Sequence, residues 1–377
     1  MDVRARLNGS VRLPGAVALV EGPPHGAPAG RLALRRGDRL EVYGVAALFA
    51  DASGAEADAP DPEADAPASG AGLPRPEAVF PAPWPGWDRG VDAVAPDGSF
   101  AVFSGQRAVR AVAADGRALW EHRHGCWGPV VGHPHTGDEQ EVCAGLEHGS
   151  VHVSADGRTV RAHVVDADGT EQWVVLDARD GRETGRTPLE DSAASGSHQF
   201  SLPGDGTVLL CIGMGQDGVL LYGAGGADEQ DGEEDGEAGE AVSGVRDLGE
   251  DLDRILLDVH PDRPVYLTVE HSCDDLRLHA PDGTVLAGRD ASELGEDRCW
   301  DYTAGFVDAD AVVAAAENGE EEDGPGHWLL DAHSLAILGP VAYPHPVAGC
   351  VRALGDGTWL THDRGTDTLS RWGRAEG

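Results

Sequence analysis

The sequence predicts an all-β chain folded as a seven-bladed β-propeller, with six or eight blades as the alternative count. Three observations predict it: a turn that recurs between β-branched runs, the near-regular spacing of that turn, and chain ends that complete one another. The turn reads VAPDGSFAVF at 94–103, VSADGRTVRAHV at 153–164, LPGDGTVLL at 202–210, VHPDRPVYLTV at 259–269, FVDADAVVA at 306–314 and ALGDGTWLT at 353–361. Its centres lie about 47 to 59 residues apart, the length of one four-stranded blade. Asp-Gly supplies the positive φ that a tight hairpin requires.

The elements follow in order. A strand–turn–strand at 17–35 provides the first unit, with its turn near residue 25. Second hairpins within units appear at AADGRALW (113–120), LDARDGRETG (176–185) and HAPDGTVLAG (279–288). No segment shows the 3.6-residue periodicity of a helix. The last unit ends at TLSRWG (368–373) with about three strands, and VRARLNG (3–9) can supply the fourth. Closure by the N-terminal strand would remove the exposed edges of the ring. Residues 50–77, 224–244 and 317–326 are rich in Ala, Pro, Gly and acids, and their low apolar content predicts disordered acidic loops within a single propeller domain, 1–377.

Composition narrows the function. The chain has 66 acidic residues against 28 basic ones, all arginine, for a formal charge of −38. A GC-rich codon bias accounts for the missing lysine. Its absence excludes a Walker-A phosphate loop, a protein-kinase site and Schiff-base chemistry. The acidity argues against nucleic acid and against an anionic membrane surface. The N-terminal stretch lacks a signal-type apolar run and no segment is long enough to span a bilayer, so a cytoplasmic location is expected. In such a compartment the six cysteines are expected as free thiols.

In a propeller the links from one blade's outer strand to the next blade's inner strand share one face. These links hold Trp84, Trp87, Asp88, Trp127, His198, Trp300, Asp301, Tyr302 and His345. Large aromatics on loops are typical anchors of binding surfaces, so Trp87, Trp127, Trp300 and Tyr302 are the expected anchors, with Asp88, His198, Asp301 and His345 beside them. The competing expectation is packing: the Cys-Trp pairs at 126–127 and 299–300 could wedge between blades. The leading reading is a non-enzymatic, monomeric scaffold for a protein partner, one with a basic patch, without a cofactor. The alternative is a propeller hydrolase or lyase acting through Asp88, His198 or Asp301, with Asp253 nearby and a divalent metal as an option.

The stretch HRHGCWGPVVGHPHTGDEQEVCAG (122–145) concentrates potential metal ligands. His124, Cys126, His133, His135 and Cys143 are weak candidates, because no standard zinc spacing is matched. GMGQDG at 213–218 has the form of a dinucleotide-binding fingerprint but is followed by a strand, so it reads as a hairpin.

ADGRALW (114–120) resembles the repeat ends of WD-repeat and quinoprotein-type propellers. RHGCWG (123–128), EQWVVLDARDGR (171–182), RILLDV (254–259), WDYTAGFVDADAVVA (300–314), HWLLDA (327–332) and GPVAYPHPVAGCVRALGDGTWLT (339–361) resemble a set of propeller-like proteins from Streptomyces-type actinobacteria. The resemblance implies the propeller fold and carries over no catalytic residue and no quinone ligand.

Overall fold

A computed structural model describes residues 2–13, 17–19, 30–50, 73–128, 143, 147–189, 196–204, 206–215, 218–225, 244–248, 253–295, 298–318, 326–347 and 349–375. The expected disordered stretches 50–77, 224–244 and 317–326 fall largely outside these residues. Strand β1 is Val3–Arg12. Four consecutive strands make the next sheet: β2 (Val17–Leu19), β3 (Arg31–Arg36), β4 (Arg39–Gly44) and β5 (Ala78–Pro81). A second comprises β6 (Ala93–Val94), β7 (Phe100–Ser104), β8 (Ala108–Ala113) and β9 (Ala118–Arg123). A third comprises β10 (Val151–Val153), β11 (Thr159–Val165), β12 (Glu171–Asp177) and β13 (Glu183–Pro188). Then come β14 (Gly196–Ser201), β15 (Val208–Gly213), β16 (Val219–Ala224) and β17 (Val245–Asp247), followed by β18 (Arg254–Val259), β19 (Tyr266–Glu270), β20 (Asp275–His279) and β21 (Val285–Asp290).

The remaining strands are β22 (Arg298–Phe306), β23 (Ala311–Asn318), β24 (Gly326–Asp331), β25 (Ile337–Ala342), β26 (Val351–Ala353), β27 (Thr358–Asp363) and β28 (Thr368–Arg374). They share one eight-stranded sheet with β1, which pairs antiparallel with β28 and joins β25 through a short parallel ladder. The N-terminal strand thus completes the C-terminal sheet, as the sequence predicts. A single helical turn at Val45–Leu48, packed by Val45 and Leu48, is a small departure from the all-strand expectation.

The recurring Asp-Gly pair has a visible cause. Asp97 Oδ1 accepts from Ser99 N at 2.9 Å, and Asp115, Asp156, Asp168 and Asp282 each accept from the amide two residues on at 3.0 Å. The glycine between donor and acceptor turns the chain at positive φ, +72° at Gly98 and +71° at Gly157. Sequence chemistry therefore fixes the hairpins locally. Packing then orders the sheets: each apolar cluster bridges two consecutive sheets, as where Leu267, Val269 and Leu276 meet Trp300, Phe306 and Val312. Leu32, Leu34 and Tyr43 meet Leu360 and Leu369, joining the first sheet to the last.

Polar side chains also cross these boundaries. Ser150 Oγ lies 2.8 Å from Ser197 Oγ, and Gln199 Nε2 donates to Ser150 Oγ at 3.0 Å. Ser197 Oγ is 2.7 Å from His163 Nδ1, whose Nε2 is 2.7 Å from Glu171 Oε2. Trp173 Nε1 donates to Gln199 Oε1 at 2.9 Å. Every member of this seam between the β10–β13 and β14–β17 sheets is buried, so each bond is made where leaving it unmade is costly.

Candidate functional site

A partly open cavity of about 420 Å³ lies where β14 and β16 begin and β15 ends. This is the inter-sheet link face that the sequence singles out. Its walls include His148, Ser197, His198, Cys211, His271 and Tyr302, over an apolar lining of Val91, Val219 and Ile255. The strand alternation of β14 places these groups. Ser197 and Gln199 reach toward β10, while His198 reaches the other way and donates from Nε2 to the Leu256 carbonyl at 2.9 Å. Gly196, at φ +120°, leaves room for His148: a Cβ there would sit 2.2 Å from its Cε1.

Burial pushes His198 down to about 4 and also lowers His148, favouring the uncharged imidazole at both. Burial pushes the Cys211 thiol up to about 12, and Tyr302 is likewise raised to about 12. Tyr302 donates to the His271 carbonyl at 2.8 Å and keeps 48% of its surface exposed. His271 Nδ1 meets the half-exposed Asp253 carboxylate at 3.1 Å. The arrangement offers hydrogen-bond acceptors, one exposed aromatic ring and a carboxylate at its edge.

Of the residues expected on the binding face, the cavity brings together His198 and Tyr302. Three expected anchors are corrected. Trp87 is 8% exposed, Trp127 4% and Trp300 0%, so none is a surface anchor. Trp87 Nε1 donates to the Ser104 carbonyl at 2.8 Å, and Trp300 Nε1 to the Arg289 carbonyl at 3.1 Å. Trp127 packs edge-on against His163 at 5.1 Å. The reason is area: an indole wedged between two sheets removes far more apolar surface from water than one lying on a loop. Asp88 is exposed and Asp301 half-buried, yet neither lines the cavity. Burial raises the Asp301 carboxyl. His345 is exposed and tilts against Trp372 at 5.3 Å, away from the cavity walls.

The weak metal candidates separate. His124 is partly buried, its Nδ1 donating to the Gly125 carbonyl at 2.7 Å, and desolvation pushes it down to about 3. Cys126 and Cys143 lie in contact, Sγ to Sγ 3.5 Å. His133 and His135 fall outside the described residues. Among the described residues no three His, Cys, Asp or Glu side chains are grouped to hold a metal ion.

Sequence reasoning missed His163, Glu171, Ser197 and His271. One signal was available. RAHVV at 161–165 and GSHQF at 196–200 set polar side chains on strands of the sheet core, and such residues need partners when buried.

Sheets of four consecutive antiparallel strands, apolar seams between them and an N-terminal strand completing the C-terminal sheet define a β-propeller. One solved structure supports the fold. The chain superposes on the β-propeller domain of Cps50 (Swd1) from Myceliophteria thermophila with a TM-score of 0.54 and 9% identity, covering 97% of this chain and 100% of that one. BamB from Moraxella catarrhalis gives a TM-score of 0.45 at 12% identity over 98% of this chain and 99% of that one. Dihydro-heme d1 dehydrogenase NirN, in complex with DHE, gives 0.49 at 17% identity; the match covers 94% of this chain and spans 63% of NirN. No protein-family model and no curated protein matches the chain.

Proposed function

We propose that the chain is a seven-bladed, non-catalytic propeller of the actinobacterial set it resembles, and that it binds a protein partner on its loop-rich face over the His198–Tyr302 cavity. The observation that carries this reading is the cavity itself, a concave site of about 420 Å³ with a half-exposed tyrosine at its wall. Neutral imidazole acceptors and the Asp253 carboxylate suit N–H donors, so an arginine or lysine side chain from a basic patch fits better than an anion. A formal charge of −38 favours the same partner at long range and makes association salt-sensitive. The chain acts as a monomer in the cytoplasm in this reading.

The test is a photo-crosslinker placed at Tyr302, with Leu286 as the control site, exposed on β21. One partner should crosslink from position 302 at low salt. It should be lost at high salt and in a His198→Ala variant that retains the strand signature by circular dichroism. Equal capture from both positions would remove the cavity from the account.

One observation favours an enzyme. Ser197, His163 and Glu171 have the connectivity of a nucleophile, base and carboxylate, and Ser197 borders the cavity. Against it, Ser197 is 4% exposed and its hydroxyl already contacts both Ser150 and His163. The geometry is that of a seam clamp. Covalent labelling of Ser197 by a fluorophosphonate would reverse this preference.

A further inference from the structure

The contact between Cys126 and Cys143 belongs neither to the cavity nor to the seam. Their sulfurs lie 3.5 Å apart, at van der Waals contact, and both residues are partly exposed. A disulfide needs an approach to about 2.05 Å, a movement of roughly 1.5 Å that side-chain rotation with a small backbone shift can supply. The site around the pair is built. Gln106, 1% exposed, holds both cysteines with one amide: its Nε2 donates to Cys126 Sγ at 3.4 Å and its Oε1 accepts from Cys143 N at 3.0 Å. Gly128 N also donates to Cys126 Sγ at 3.2 Å. The backbone beside Cys126 is pinned by Gly125 N to the Val165 carbonyl at 2.6 Å and by Trp127 N to the Gln106 carbonyl at 3.1 Å. Of the other cysteines, Cys211 is buried, Cys350 is exposed, and Cys273 and Cys299 are partly exposed.

We propose that Cys126 and Cys143 form a reversible dithiol–disulfide site, oxidised by a low-molecular-weight disulfide of the glutathione class. Cys126 loses its proton to solvent and attacks one sulfur of the oxidised tripeptide. That S–S bond breaks, a mixed disulfide forms on Cys126, and one tripeptide thiolate leaves and is protonated. Cys143 then loses its proton, attacks Cys126 Sγ and expels the second tripeptide as thiolate, which is protonated in turn. Two protein thiols give up two electrons to one small disulfide, and two protons pass to the two thiols released. Cys126 takes the first step because two N–H donors aim at its sulfur, whereas burial and the neighbouring sulfur raise Cys143 to about 11.

The test uses the full chain and oxidised glutathione itself. Because the basic residues are all arginine, trypsin releases one peptide, His124–Arg158, that holds Cys126 and Cys143 and no other cysteine. The protein is equilibrated across ratios of oxidised to reduced glutathione, quenched in acid, alkylated, digested and weighed. The expected result is a peptide lighter by two hydrogens and unalkylated. It should form at least about tenfold faster than Cys350 is modified, and reduced glutathione should reverse it. Cys143→Ser should stop at the mixed disulfide on Cys126, and Cys126→Ser should slow all modification of Cys143. Separate glutathione adducts on both sulfurs, or alkylation of both at every ratio, would overturn the proposal. So would protection against both reagents that is abolished by a chelator, because the pair would then be holding a metal.

Discussion

Two boundaries between neighbouring sheets solve the same packing problem differently. Between β10–β13 and β14–β17, the apolar cluster around Trp127, Trp173 and Leu210 is joined by a chain of buried polar bonds from Gln199 through Ser150, Ser197 and His163 to Glu171. Between β18–β21 and β22–β25, the core is apolar, centred on Trp300 and Phe306, and the polar side chains that cross it, such as Arg289 and His260, donate to backbone carbonyls, those of Leu335 at 2.9 Å and Ala309 at 3.1 Å. Its buried carboxylate, Asp258, accepts from Val259 N and Phe306 N, both at 2.8 Å. An apolar boundary specifies volume; a polar one also specifies direction, since each bond has one acceptable partner. The polar boundary borders the cavity through Ser197, where wall positions matter most.

Breaking the apolar boundary should cost most. Trp300→Ala is expected to lose about 4 kcal/mol in denaturant unfolding while the cavity geometry is kept. His163→Ala is expected to lose about 3 kcal/mol, because it leaves the Glu171 carboxylate buried without its imidazole. That variant should also weaken partner binding, which Trp300→Ala should not do once both are compared below their unfolding transitions. Equal binding loss in the two variants would erase the distinction between the boundaries.

Acid should sharpen the contrast. Burial holds His152, His198 and His279 at about 4 and His124 at about 3, below the ordinary histidine value. A depressed pKa contributes stability that is present above about pH 6.5 and lost as pH falls toward 4. Asp258 runs the other way. Burial raises it to about 7, so its contribution is present below about pH 4 and lost as pH rises through 7. Melting temperature should therefore fall on acidification overall. Asp258→Asn should steepen that fall between pH 7 and 5 and raise stability at pH 8 relative to pH 5. An unchanged slope would mean that Asp258 is ionised throughout. The smallest effect is expected at Tyr302→Ala, within about 0.5 kcal/mol in unfolding, because its ring is half exposed.

The hairpins were legible because their cause is local: an Asp, a Gly and an amide two residues on. The order of the sheets was legible because strands pair in sequence. The site was not, and Trp300 and Tyr302 show why. Both fall in a stretch that reads as a link between blades, so both read as anchors of one surface, whereas Arg298–Phe306 is a strand. The pairing of β22 with β23 slips between Trp300 and Ala304, and this irregularity sends the indole inward and the phenol outward. No pattern of residue types around WDY announces the slip. The seam was hidden for a different reason: Ser197 meets His163 across a boundary between sheets, and that meeting depends on how two blades rotate against each other.

The strand at the start of the chain has a consequence for synthesis. Leu7 faces Trp372 and Arg12 faces Thr368, so β1 must wait for Thr368–Arg374 to leave the ribosome before it finds its antiparallel neighbour. Until then its edge is an open template for other chains, and the closing contact joins strands far apart in sequence. Ring closure is thus a late event. A chaperone that shields an exposed strand would act on β1 until Thr368–Arg374 is made.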